Sequence, residues 1–342
     1  MRPEIARRDT RASALRRFML AGFVALALLP SPTQVIAAPD DRSLVTALER
    51  IETDALPLCD DVGGAPPLGA AIDALLADDE AGAASVRTAV SPIEAVNDLI
   101  YRRLGIRASR DAHDPCNLLP SAVLARRQGY CVGIAAIYLA LAERLDLPIH
   151  AVAIPSHVYL RWDDQRARID IETLAMGGPF PEGLDDLKAH VTATAPESTT
   201  ADSPAAKNAL KFPRDLDTNG FLAQVHNNLG AFHSKRSDHA RAAVEYRRAL
   251  DLDPMLSAAW YNWGYDLFLA GEHRDAIRKF DEALRLAPAD IWALNNRGRS
   301  WAELGKKSRA RRDFEAALAI DPTFRPARRN LKDLDHEGSP AP

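Results

Sequence analysis

Three glycines, Gly230, Gly264 and Gly298, stand 34 residues apart, and Pro254, Pro288 and Pro322 keep the same period. So do the sets Ala242, Ala276 and Ala310; Tyr246, Phe280 and Phe314; and Ala249, Ala283 and Ala317. A period held at five positions through three copies demands one supersecondary unit that is stacked on itself, because a single unit cannot bury its own apolar face. Each unit reads as two helices. Gly and Ala let the helices approach closely, the aromatic fills the gap between units, and Pro stops the second helix. The units fall at 223–256, 257–290 and 291–324. Residues 325–335 then form a polar capping helix, and the block as a whole runs over 221–335.

This pattern resembles the tetratricopeptide repeat, an all-α solenoid whose groove commonly binds an extended peptide or partner segment. The first helices would present Asn228, Tyr261, Asn262, Tyr265, Asn295, Asn296 and Arg299 to that groove. The alternative is that the asparagines satisfy backbone groups and the rings are core. A protein or peptide is the expected partner.

The other end of the chain reads as an export signal. Six arginines precede the apolar run Phe18 to Leu29, Pro30-Ser31-Pro32 breaks it, and Ala37 and Ala38 follow. That order predicts a signal peptide over 1–37 and a periplasmic or secreted protein; a retained anchor is the alternative. Without those residues the chain carries a net charge near −8, against −4 for the whole sequence. Residues 38–220 hold 17 Lys and Arg against 28 Asp and Glu, which argues against a nucleic-acid partner. No membrane partner is expected once the signal is cleaved. In an exported chain of three cysteines, Cys59 and Cys116 could pair and leave Cys131 free, or all three could be thiols.

Between these ends lies chemistry. Leu44, Val45, Leu48 and Ile51, then Ile93, Val96, Leu99, Ile100 and Leu104, recur at helical spacing and predict a helical N-terminal part. Gly129-Tyr130 breaks the chain and Cys131 opens a long helix, with a stripe of Ile134, Ile137, Tyr138, Leu141 and Leu145 ending at Leu147-Pro148. The macrodipole and unpaired N–H groups at a helix start favour a thiolate. Strands follow at 149–154, 157–162 and 167–172, with 163–166 as a four-residue hairpin loop. Trp162 facing Ala167 would put His157 opposite Glu172 and Tyr159 opposite Asp170, with Val158, Leu160, Ile169 and Ile171 on the apolar face. Cys131 is then the candidate nucleophile, His157 the acid–base group and Glu172 its orienter. Asp170 is the alternative orienter if the register slips, and Asn117 is a candidate oxyanion donor. A zinc site from the same groups lacks Cys-x-x-Cys or His-x-x-x-His spacing, and no metal or cofactor is expected. A polar linker is expected over 189–215.

The stretches Asn117-Leu118-Leu119-Pro120, Gly129-Tyr130-Cys131-Val132-Gly133, Pro155-Ser156-His157-Val158, Ile169-Asp170-Ile171-Glu172-Thr173 and Gly177-Gly178 resemble the bacterial transglutaminase-like domain, which in some proteins precedes tetratricopeptide repeats. The resemblance implies a papain-like α+β core over 40–188. It also implies a Cys-His-Asp/Glu triad, which falls on Cys131, His157 and Glu172 by match to the motifs. Two functions follow. One is a cysteine hydrolase (peptidase or amidase) or acyltransferase whose repeats recruit a protein. The other is a non-catalytic scaffold that acts through its repeats.

Overall fold

The computed structural model describes residues 43–77, 86, 91–109, 111, 114–154, 157–179 and 213–336. The expected signal peptide, over 1–37, and residues 189–212 of the expected linker lie outside them. Among the described residues no helix is long and apolar enough to cross a membrane.

The first part is α+β. Helices α1 (Leu44–Ala55), α2 (Leu68–Ala77) and α3 (Pro92–Asn97, continued by a π turn over Asp98–Arg103) come first. The short strand β1 (Arg107–Ala108) precedes α4 (Pro120–Arg126) and β2 (Gln128–Gly129), which pairs in parallel with β1. Helix α5 (Cys131–Leu145) follows at once. The main sheet holds β3 (Ile149–Ile154), β4 (His157–Asp163), β5 (Arg168–Glu172), β6 (Gly178–Pro179) and β7 (Arg214–Leu216) in the order β6-β5-β4-β3-β7, antiparallel throughout.

The stripe expected on α5 understates its burial. All but Glu143 and Arg144 of its fifteen residues are buried, because α1, α2, α4 and the sheet surround it. A helix apolar on every side can only be a central one. It stops at Asp146, whose backbone is left-handed (φ 55°), and the chain turns at Pro148 into β3. Cys59 and Cys116 form a disulfide that ties the end of α1 to the turn before α4, and Cys131 is the free thiol.

The hairpin register differs from the expected one by two residues. Arg161 pairs with Asp170 and Trp162 with Ile169, so the loop is Asp164–Ala167 and not 163–166. The cause is local: Asp164 Oδ1 accepts the N–H groups of Arg166 (3.0 Å) and Ala167 (2.7 Å), which centres the turn one residue later. A shift of two keeps the parity, so each side chain stays on its predicted face. Val158, Leu160, Trp162 and Ile171 are core, whereas Ile169 near the hairpin loop is 43% exposed.

The repeat helices are α6 (Thr218–Lys235), α7 (His239–Leu252), α8 (Ser257–Leu269), α9 (His273–Leu286), α10 (Ile291–Glu303), α11 (Lys307–Ile320) and α12 (Arg325–His336). The periodic aromatic seats on the glycine of its own unit, where it was expected to bridge units. A Cβ at Gly298 would lie 2.6 Å from the Phe314 ring, and one at Gly230 equally close to Tyr246. Residues 214 and 215, the end of the expected linker, belong to the strand Arg214–Leu216, which leads directly into α6. Phe221, Leu222, Val225 and Leu229 of α6 belong to the same apolar core as α1, α5 and the sheet. The Gly298→Val substitution should therefore separate α10 from α11 and cost about 1–3 kcal/mol; a urea melt with an unchanged midpoint would refute the seat.

Candidate active site and repeat surface

Cys131 is the first residue of α5 and is 2% exposed. Tyr130 caps that helix without a side-chain hydrogen bond, so the N–H groups of Cys131, Val132 and Gly133 have no acceptor within the helix. Tyr130 itself donates its backbone N–H to Asn117 O at 2.8 Å, which fixes the chain where the helix begins.

His157 opens β4 and Glu172 closes β5. The shifted register makes them diagonal neighbours on one face, with Tyr159 facing Glu172, yet the carboxylate still reaches the ring. Nε2 of His157 lies 2.7 Å from Glu172 Oε2, and Glu172 Oε1 accepts the Leu174 N–H at 2.8 Å. An ionised carboxylate only accepts, so Nε2 carries the proton and Nδ1 is the nitrogen left for the sulfur. Cys131 stands close enough to the ring to act on its charge. Burial pushes the imidazole toward neutrality, but Cys131 and then Glu172 outweigh it and raise its pKa to about 10. Burial, with Cys131 and Glu172 close by, pushes the Tyr130 phenol up.

Asp170 is not at the imidazole. It accepts from Arg161 Nε at 2.5 Å and Nη2 at 3.0 Å, while Nη1 of Arg161 reaches Asp215 at 2.6 Å. The cation opposite Asp170 in the ladder captures it. Asn117 does not fit an oxyanion donor either. Both hydrogens of its Nδ2 are committed, to Ser109 Oγ (3.0 Å) and Asp111 O (3.1 Å), and the side chain is buried. Asn97, Tyr101 and Tyr138 lie near the site outside the motifs, and Tyr130, within one, was read only as part of the break before the helix. The available signal was Tyr138, two helical turns after Cys131 and hydroxyl-bearing in the apolar stretch that runs to Ala142.

On the repeats, Asn295 and Asn296 are buried and serve the solenoid. Asn330 donates to Asn295 Oδ1 at 2.8 Å, Asn296 to the Tyr261 hydroxyl at 3.0 Å, and Asn262 to Asn227 Oδ1 at 3.0 Å. Each bond joins one unit to the next. Asn228, Tyr261, Asn262 and Arg299 are half-buried and Tyr265 is 37% exposed. Tyr261, Tyr265 and Phe268 stack along α8, and the Arg299 guanidinium lies 4.3 Å from the Phe268 ring.

Residues 68–183 match the family model of the transglutaminase-like superfamily, and 257–290 and 291–324 match that of the tetratricopeptide repeat. F-box only protein 21 of Mus musculus is 35% identical over 71 residues, 20% of this chain and 11% of that protein. A UPF0162 protein of Xylella fastidiosa is 34% identical over 68 residues, 20% of this chain and 24% of that protein. The chain thus spans no more than about a quarter of these curated relatives. The first repeat domain of Spaghetti (RPAP3), solved bound to an HSP90 peptide, aligns with 34% of this chain and 94% of its own length at 22% identity and a TM-score of 0.34. The chain carries a transglutaminase-like domain followed by tetratricopeptide repeats, as the motifs and the 34-residue period led us to expect.

The raised pKa of His157 has a signed consequence. The native ring holds a proton that the unfolded chain releases above its ordinary value of 6.5, so the stability it contributes is complete below that pH and is lost as pH rises through about 10. Removing the sulfur in Cys131→Ser should bring the midpoint down, read by NMR of ¹⁵N-labelled imidazoles. An unmoved midpoint would show that the sulfur does not act on the ring.

Proposed function

We propose that this protein is an exported thiol acyl-transfer hydrolase, of peptidase or amidase type, whose repeats hold a protein or peptide partner. The observation that carries the chemistry is the buried His157 ring, bonded to Glu172 through Nε2 and raised in pKa by the nearby Cys131. In this reading the sulfur of Cys131 attacks an acyl carbon while His157 holds the thiol proton. The ring then donates that proton to the leaving amine, which departs and leaves a thioester on Cys131. His157 next takes a proton from water, the hydroxide adds to the thioester carbon, and the carboxylic acid leaves as the thiol is restored. An amine in place of water would give transamidation through the same thioester. Glu172 holds the tautomer and stabilises the imidazolium. The first-turn N–H groups of α5, Cys131's own among them, replace Asn117 as the oxyanion donors, and the helix dipole adds to their field.

Export is supported by the arginine-rich apolar leader and by the Cys59–Cys116 disulfide, since such bonds persist in oxidising compartments. For the repeats, the exposed Tyr265 ring lies near the half-buried Arg299 guanidinium, which donates to Asn296 and lies on Phe268, and an aromatic beside an arginine is the kind of pair that anchors an extended segment.

The test is alkylation of the mature protein by iodoacetamide at pH 6.5, followed by an activated acyl ester with the adduct located by mass spectrometry. The His157→Gln substitution should slow alkylation of Cys131 about tenfold or more, because only the thiolate is nucleophilic, and should abolish the acyl-enzyme. Equal alkylation rates in the two proteins would leave the repeats as the working part and the first domain as a scaffold.

A further inference from the structure

We infer that Asn97, Tyr101 and Tyr138 are positioning residues that hold Glu172 against His157; the inference rests on the acyl-transfer reading above. Glu172 sits at a strand end. It is the last residue of β5, and the strand beyond it, β6, is two residues long. An acid at a strand end frays unless the turn after it is fixed, and a carboxylate that drifts off Nε2 loses both the tautomer and the charge pairing.

The turn is fixed from two helices at once. Tyr101 donates its hydroxyl to Thr173 O at 2.7 Å, on the residue directly after the acid. Asn97, four residues earlier on the same face of α3, donates Nδ2 to Gly177 O at 2.9 Å. Gly177 in turn donates its N–H to Glu172 O at 2.9 Å, which closes the turn on the acid's own carbonyl. Asn97 Oδ1 accepts the hydroxyl of Tyr138, which is fully buried in α5. Cys131 and Tyr138 therefore share one rigid helix, and the path Tyr138–Asn97–Gly177–Glu172 sets the acid's place relative to Cys131.

Gly177 is explained by the same contact. Its φ is +74°, and a Cβ there would lie 2.1 Å from Asn97 Oδ1, so only glycine lets the amide approach. The π turn over Asp98–Arg103 lies in the same helix and includes Tyr101; such turns occur often at functional sites.

The experiment compares wild type, Tyr101→Phe, Tyr138→Phe and Asn97→Ala, with Glu172→Gln as the reference for full loss of the acid. Two readouts are taken: the titration midpoint of His157 by ¹⁵N imidazole NMR, and the pH profile of Cys131 alkylation. The phenylalanine variants keep ring volume and lose one hydroxyl each. Expected are a fall of about half to one pH unit in the His157 midpoint, in the direction of Glu172→Gln, and slower alkylation at pH 6.5 by about three- to tenfold. A lowered melting temperature with an unchanged midpoint and an unchanged pH profile would make the three residues merely structural and overturn the inference. If Tyr138→Phe does not fold, Tyr101→Phe carries the test alone. Should wild type form no acyl-enzyme, the acyl-transfer reading fails, while the NMR midpoints still decide whether the clamp holds the acid on the ring.

Discussion

Helix α5 has no face it can show to water, and this constraint organises the domain. From Cys131 to Ala142 every residue is buried, so α1, α2, α4 and the sheet must close around it. A central helix leaves its first turn with few places to be, and here that turn is held by Tyr130 donating to Asn117 O. The disulfide stands one residue away at Cys116, and Glu52 of α1 accepts both the N–H and the hydroxyl of Ser121 at 2.6 Å. Burial raises the pKa of Glu52, and the two bonds from Ser121 oppose that rise. These contacts lie between residues far apart in the chain, and all of them fix the segment on which the Cys131 helix begins.

How much of this was legible depended on whether a feature was repeated, alternating or neither. The repeats were legible because one steric requirement, an aromatic seated on a glycine, recurs three times in a fixed register. Even so, which glycine the ring meets could not be read, since period alone does not separate a contact within a unit from one between units. The hairpin faces were legible through their alternation, and parity survived a two-residue register shift caused by a single aspartate, Asp164. That is why His157 and Glu172 share a face although their expected direct pairing does not occur. The Asp170 alternative failed on a charge the alternation ignores, because Arg161 stands opposite it.

Contacts of long sequence separation were not legible. Asn97 meets Gly177 across 80 residues and Tyr101 meets Thr173 across 72, with no periodicity to announce them. Strand β7 was hidden for a different reason. Arg214 and Asp215 look like linker, and their strand state comes from pairing with β3 and from the Asp215 carboxylate bonding to buried Arg161. Local composition cannot report a state imposed by tertiary partners.

The same strand settles how the two parts of the chain are joined. Because β7 lies in the sheet and α6 follows after one residue, the first repeat starts from a fixed point and not from a free tether. Phe221, Leu222, Val225 and Leu229 then complete the core of the first domain. A solenoid needs its terminal apolar faces covered. At the C-terminal end α12 does this with Ala327 and Leu334, and at the other end the α+β domain does it. The asparagine ladder from Asn227 to Asn330 runs through the stack between those two covers, so the amides spent on it hold the units in register and leave recognition to the side chains beside them. Position along a first helix thus divides labour. Residues whose bonds point to the neighbouring unit build the stack, while Tyr265 stays exposed beside them and Arg299 lies on the Phe268 ring.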